Sequence, residues 1–398
     1  MGQYDIAVAG CGPAGLAAAL LLHRDGHRVT LFERFDAPKP VGSGLMIQPT
    51  GQAVLRALGL EERLLAAGAR VDRLFGRAGE DGPIVLDVRY SALGKKAGFG
   101  VGIHRASLFA ILHDAVTAAS IPIETGRPIA ASRVGGGRRH LCFEDGSESG
   151  PFDLVVDALG TRTPLAPPTG RALAYGALWA SLDWPESAGF DAAALEQRYR
   201  RASVMVGVLP IGTPPGRRAP QAAFFWSLRA DRLEDWRAAG LGPWKDEVLR
   251  LWPLLAPLLD RIEASDQLTF ARYAHRTLPT PAEPGMIHIG DAWHSASPQL
   301  GQGANMALID AYALALALRM ESGVDSAIGK AIALRRRHVG LYQWLTALFT
   351  PVYQSDSRML PFVRDRLVGP LSRLWPATRI QAAMVSGLVG DPLGSLDL

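Results

Sequence analysis

Cysteine is almost missing from this chain of 398 residues, which contains only Cys11 and Cys142. Two such residues cannot staple a secreted scaffold. With no Cys-x-x-Cys they offer neither a zinc ribbon nor a dithiol pair, so a reducing, cytoplasmic setting is expected. No uncharged apolar run reaches the roughly 18 residues that a bilayer-spanning helix needs. The apolar stretch 14–22 lies near the start, but no basic region precedes it and glycines interrupt its approach, so it reads as internal structure rather than a secretory signal. A dominant charge is also lacking: 42 Lys and Arg against 38 Asp and Glu leave +4, spread along the chain, which gives no nucleic-acid footprint. The densest basic cluster, Arg335-Arg336-Arg337, reads as a solvated helix face. There is no internal repeat, no linker-like tract, no Ser/His/Asp elbow, no His-Glu-x-x-His, no phosphate-loop lysine motif and no paired metal ligands.

What is present is a chain with 48% hydrophobic and 20% charged residues, enough for a large core. Residues 4–9, 13–24 and 28–33 read as a strand, a helix and a strand, with Gly26 tolerating a left-handed helix end. Residues 42–51 are Gly/Pro-rich and read as a loop, and 52–67 return to helical periodicity. Alternating strands are expected over 70–104, a helix over 106–119, a hairpin around Gly135-Gly136-Gly137 and a buried strand over 152–158. From 172 to 229 the texture changes to long strands, read as a second, mostly antiparallel sheet. A helical region over 233–262, strands at 268–275 and 286–290, a helix over 304–320 and an aromatic helical tail complete the chain.

Gly10-Cys11-Gly12-Pro13-Ala14-Gly15 falls where the first strand turns into the helix. The first glycine permits the tight turn, the second lets backbone N–H groups approach a pyrophosphate, and the third lets helix and strand pack closely. The helix N-terminus adds partial positive charge. Glu33, at the end of the second strand, is placed to accept from ribose hydroxyls, which favours FAD or NAD over NADP. Arg34 beside it would stack on adenine or lie exposed.

The distant segment Gly290-Asp291-Ala292-Trp293-His294-Ser295-Ala296-Ser297-Pro298-Gln299-Leu300-Gly301-Gln302-Gly303-Ala304-Asn305 closely resembles the second flavin motif of the class A flavoprotein monooxygenases, the p-hydroxybenzoate hydroxylase-like family. The resemblance implies that Asp291 bonds a ribityl hydroxyl and that Gly301 and Gly303 bring backbone N–H groups to the flavin's pyrimidine edge, with Gly290, Ala304 and Asn305 completing the site. It also implies a flavin contact for Arg105 at a helix start, and for the loop running from Gly42 through Gln48 beside the ring. Pro298 then lies at the reactive face and contributes shape.

The resemblance further implies an α/β (α+β) fold: a Rossmann-like FAD-binding domain in two parts, 1–165 and 281–330, an interleaved antiparallel substrate sheet over 166–280 and a C-terminal helical region over 331–398. The tail is weakly similar to ubiquinone-biosynthesis-type hydroxylases. It reads as a helical cap in preference to a membrane-docking surface, with Trp344, Phe349, Tyr353 and Trp375 in the core or an interface. The implied reaction is reduction of FAD by NAD(P)H, addition of O2 at flavin C4a, and oxygen transfer from that hydroperoxide to a small, largely apolar aromatic or quinone-like substrate. His294 and Tyr273 are the candidates for a base or a phenol-polarising group, and Val206, Phe224 and Trp226 for substrate contact, one face of each strand being available.

One departure stands out. Where the family's middle motif reads Gly-Ala-Asp-Gly, this chain has Asp157-Ala158-Leu159-Gly160, which puts nicotinamide use in doubt. A flavin oxidase or reductase therefore stays open, as does a flavin-binding partner protein without nicotinamide-driven hydroxylation. A halogenase lacks its Trp-x-Trp-x-Ile-Pro signature, Trp179 and Trp184 being wrongly spaced.

Overall fold

The computed structural model describes residues 2–37, 43–96, 98–186 and 188–398. Its central sheet has the order Ala282–Glu283, Met286–His288, Leu154–Asp157, Asp5–Ala9, Arg28–Phe32, Ile123–Glu124, and all pairings are parallel except the first. The strand Asp5–Ala9 shows why both faces are covered. Ile6 and Val8 join the core under helices Pro13–Arg24 and Gly303–Met320, while Ala7 and Ala9 face a second core with Ile129, Leu141 and Phe143. Those three belong to the three-stranded sheet Ile129–Gly135, Arg138–Phe143, Glu148–Phe152. Its first hairpin turns at Gly136 and Gly137, with φ of 60° and 79°, the pair of positive values that a two-residue mirror-type turn demands.

The second sheet has eight strands, in the order His294–Ser295, Thr269–Thr277, Arg171–Asp183, Gln221–Arg229, Val204–Pro210, Ala194–Arg200, Arg73–Ala78, Ile84–Arg89. The hairpin 73–89 lies within the expected first domain, yet it extends this sheet through a parallel pairing with Ala194–Arg200. The flavin-type and second-sheet units are thus interleaved more finely than a division at 165 implies. The expected loop 42–51 is also corrected: Gly44–Ile47 is a strand and Pro49–Ala57 a helix, proline being well placed in a first helical turn. Gly42 lies outside the described residues.

One face of the large sheet is covered by helices Leu233–Ala239, Leu241–Leu251 and Ala256–Leu259. The tail is the 30-residue helix Val324–Tyr353 followed by short helices. Arg335 on that helix overturns the reading of a solvated basic cluster: it is buried and paired with Asp310, while Arg336 and Arg337 are exposed. Trp344 and Trp375 are exposed rather than packed, and Phe349 and Tyr353 are half-buried.

Candidate functional site

The three glycines of the first motif take three different jobs. Gly10 has a φ of +102°, and a Cβ there would stand 2.8 Å from the Ala158 carbonyl oxygen. Gly15 allows helix-to-strand contact, since its Cβ would stand 2.0 Å from the Gly10 carbonyl oxygen. At Gly12 a Cβ would meet no atom within 4 Å, so the helix start opens onto free space. Helix Pro13–Arg24 has no side-chain cap, which leaves its first-turn amides available to an anion.

Glu33 sits beside this turn, its Oε2 accepting from the Cys11 amide at 3.0 Å and its Oε1 from the Phe35 amide at 3.2 Å. Burial, reinforced by Glu33, pushes the Cys11 thiol up to about 12, so it remains neutral and unreactive. Arg34 is exposed and its guanidinium lies 4.5 Å from the Phe35 ring centroid.

The second motif arrives at the same place. Gly290, with a φ of +57°, lies between the two helix starts: a Cβ on it would stand 3.3 Å from Cβ of Ala14 and 3.1 Å from Cβ of Ala307. Asp291 follows it and is open to solvent, yet protein crowds it closely enough that desolvation raises its carboxyl above the ordinary range, opposed by the charges of His294 and Arg105. That combination describes a side chain on the wall of a deep cleft. Arg105 opens helix Arg105–Ala118 and is itself exposed, while its amide is held by the Ser43 carbonyl at 2.9 Å.

Beyond Pro298, which is exposed at the head of a tight turn, Gly301 adopts a left-handed φ of 62°. Helix Gly303–Met320 then begins without a side-chain cap, and a Cβ on Gly303 would again meet nothing within 4 Å. Asn305 ties this turn to the strand Gly44–Ile47: its Nδ2 donates to the carbonyls of Gly301 (2.9 Å) and Met46 (3.1 Å), and its Oδ1 accepts from the Gln48 amide at 2.8 Å. Gln48 is fully buried; its Oε1 accepts from Tyr90, whereas its Nε2 has no partner among the described residues. A Cβ on Gly301 would stand 3.8 Å from that orphaned Nε2.

Two open helix starts, an acid at each end of the cleft, an exposed arginine and a buried unpartnered amide form a cradle that fits a flavin dinucleotide. The helix starts suit its negatively charged groups, the acids its hydroxyls and Gln48 Nε2 an acceptor atom.

Two expectations are corrected. His294 is not on the cleft surface: it is 3% exposed and its Nε2 is joined to Asp310 Oδ2 at 2.6 Å. Asp310 also accepts from the Gly290 amide (2.9 Å) and Arg335 Nε (2.7 Å), and Arg335 Nη1 reaches His338, whose other ring nitrogen meets the Gly387 carbonyl oxygen. Burial alone would raise the Asp310 carboxyl, but His294 and Arg335 hold it down to about 2. The lone acid in the apolar helix 303–320 was the available sequence signal for this network.

Val206, Phe224 and Trp226 lie on the face of the large sheet covered by Trp244 and Trp252, away from the flavin-type unit. The opposite face carries Trp179, Met205, Phe225 and Tyr273, with Ser181 Oγ 2.7 Å from Ser43 Oγ, just before the strand Gly44–Ile47. Register could have paired these residues, since Trp179 stands opposite Phe225, but not chosen the face. Tyr273 lies on this second face, beside Trp179. Its hydroxyl accepts from Trp179 Nε1 at 3.0 Å, and burial raises its phenol to about 12 against the pull of that bond and of Arg105.

The altered middle motif is a built feature. Asp157 is fully buried, its Oδ1 accepting from the Leu159 amide (3.0 Å) and its Oδ2 lying 2.7 Å from Thr163 Oγ1 and 2.6 Å from His288 Nδ1, the residue opposite it in register.

Residues 3–115 match the FAD binding domain family. The chain is 27% identical over 338 residues to 3-amino-4-hydroxybenzoate 2-monooxygenase of Streptomyces cremeus, covering 77% of this chain and 76% of the relative. It is 25% identical over 406 residues to the aurachin C monooxygenase/isomerase of Stigmatella aurantiaca, covering 98% of each. Among solved structures, 2-methyl-3-hydroxypyridine-5-carboxylic acid oxygenase superposes with a TM-score of 0.79 at 19% identity, over 99% of this chain and 98% of that one. Klebsiella pneumoniae HpxO complexed with FAD and uric acid gives 0.79 at 19% identity, over 98% of each.

Proposed function

We propose that this chain, an FAD-dependent monooxygenase of the class A, p-hydroxybenzoate hydroxylase-like family, hydroxylates a small, largely apolar aromatic or quinone-like substrate held against the Trp179 face of the large sheet. The observation that carries the reading is the placement of Gly290 between Ala14 and Ala307, which brings both glycine-rich helix starts to one cleft. Bound FAD, reduced by NAD(P)H, supplies the O2 activation by which one oxygen atom enters the ring while the other leaves as water.

The protein's own contribution is placement, electrostatics and dryness. Gly12 and Gly303 leave room for the cofactor against two helix N-termini, Glu33 and Asp291 accept from hydroxyls, and Arg105 adds positive charge beside Asp291. Gln48, fixed by Tyr90 and Asn305, presents its free Nε2 at the Gly301 turn. Pro298 shapes the entrance to that turn. On the substrate side Trp179, Met205 and Phe225 exclude water, and the Tyr273 hydroxyl, protonated throughout the physiological range, is the group available to donate to a phenolic or carbonyl oxygen.

The experiment is turnover of the FAD-loaded protein with NADH or NADPH and a panel of aromatic acids, hydroxypyridines and quinolones under 18O2. Product carrying one labelled oxygen, with one nicotinamide consumed per product, supports the reading. Flavin reduction with only hydrogen peroxide formed across the panel supports the oxidase alternative, which the Leu159 departure keeps in view.

A further inference from the structure

A surface helix ordinarily turns its apolar stripe inward and its charges outward. The segment formed by helix Met359–Val363, the wide turn Arg364–Val368 and helix Gly369–Ser372 does the reverse. Its buried positions are Pro361, Arg364 and Gly369. The Arg364 guanidinium is engaged at every nitrogen: Nε on Asp365 (2.7 Å), Nη1 on the Val352 carbonyl (3.2 Å) and Nη2 on the Arg201 carbonyl (3.0 Å), beside the rings of Tyr199 and Tyr353. The outward positions are apolar: Met359 is 72% exposed, Phe362 63%, Leu367 57% and, one turn beyond, Trp375 80%. Twelve of the seventeen large apolar side chains exposed among the described residues fall between 344 and 380. A concentration of this kind marks a surface that meets an apolar partner.

Charge indicates which partner. Arg358, Arg366, Arg373 and Arg379 are all exposed on this stretch, and among the described residues none has a carboxylate within 4.0 Å. The acids of the stretch are already engaged, Asp356 with Arg229 and Asp365 with Arg364. A second copy packed on this face by a twofold axis would set arginine against arginine with no acid between them. An anionic lipid surface answers both features, because Trp, Phe and Leu side chains enter the headgroup boundary while arginines extend to phosphates. Among the described residues no helix is long and apolar enough to cross a membrane, so the contact is with a surface.

We propose that the face 359–380 docks the protein onto the surface of a bilayer containing anionic phospholipid. The test is flotation of the full-length, FAD-loaded protein with phosphatidylcholine vesicles prepared with and without phosphatidylglycerol. Binding is expected only with phosphatidylglycerol, weakening as salt is added. Arg366→Gln and Arg373→Gln should each lower the vesicle partition coefficient about fivefold, and Phe362→Ser with Trp375→Ser should abolish binding while the protein stays yellow. The arginine variants leave the apolar face intact, so they decide the matter even where the serine pair fails to fold. Three results overturn the proposal: a folded, yellow wild type that ignores phosphatidylglycerol vesicles; equal binding to both vesicle types, untouched by the arginine changes; or a dimer in sedimentation that the serine pair makes monomeric, without vesicle binding.

Discussion

His294 and Asp310 are joined by a 2.6 Å bond in a place where both are almost sealed from water. Asp310 simultaneously receives the Gly290 amide and Arg335, so one carboxylate fixes the turn before Asp291, the helix Gly303–Met320 and the long tail helix. Asp310→Ala would strand the buried Arg335 guanidinium and leave His294 without its partner, and about 3–5 kcal/mol of stability should be lost. Asp310→Asn, which keeps the shape, should lose less. Thermal scans at one fixed rate, paired with flavin absorbance, would read both; an Ala variant as stable and as yellow as wild type would remove this network from the account.

The same cluster sets an acid response. Burial, with Arg335 alongside, lowers the His338 pKa from 6.5 to about 3. Between those values the unfolded chain binds a proton that the folded protein refuses, so this residue's effect is to reduce stability as pH falls below about 6.5, by up to about 1.4 kcal/mol per pH unit. His338→Gln should flatten the stability profile between pH 4 and 6.5 relative to wild type. Parallel profiles would contradict the assignment.

Gly12 and Gly15 separate binding from folding. Gly12→Leu places its side chain in open space, so the protein should fold normally and retain little or no FAD, whereas Gly15→Leu collides with the Gly10 carbonyl and should fail to accumulate as folded protein. Circular dichroism and the flavin-to-protein absorbance ratio report the two effects independently. A fully loaded Gly12→Leu variant would sink the cofactor assignment.

Neighbouring phenylalanines should part company. Phe224→Ala removes a ring from the core beneath Trp244 and should cost about 3–5 kcal/mol with little change in substrate preference. Phe225→Ala and Tyr273→Phe, on the other face, should change the yield of hydroxylated product per nicotinamide consumed, Tyr273→Phe lowering kcat/KM about tenfold through loss of one hydrogen bond. Equal effects of Phe224→Ala and Phe225→Ala on product yield would place the substrate elsewhere.

Asp157→Gly installs the glycine of the motif that this segment resembles, but it strips His288, Thr163 and the Leu159 amide of their shared acceptor. A loss of about 1–3 kcal/mol is expected, with no gain in the rate of flavin reduction by NADH or NADPH. Faster reduction would show that Asp157 had been limiting that step.

The cofactor half of the site was legible because its signals are local. Gly10, Gly12 and Gly15 lie in one turn, and Asp291 to Gly303 form one short continuous segment, so short-range backbone demands write them directly into the sequence. The eight-stranded sheet was legible as strands but not as faces. Phe224 and Phe225 are equally apolar, and only the helices from 233 to 259 decide which is covered. His294 looked catalytic beside the flavin motif because its partners, Asp310 and Arg335, come from other elements. The tail hides its character for a related reason: apolar residues at helical spacing look the same whether they pack into a core or face out, as Phe362 and Trp375 do.

The most direct test of the central claim is an anaerobic absorbance trace of the FAD-loaded protein mixed with NADH and then NADPH, in the presence of the aromatic panel, followed by readmission of oxygen. A flavin monooxygenase should bleach with at least one nicotinamide and recover its oxidised spectrum on aeration with formation of hydroxylated product. A flavin that stays oxidised with both nicotinamides across the panel would contradict nicotinamide-driven hydroxylation.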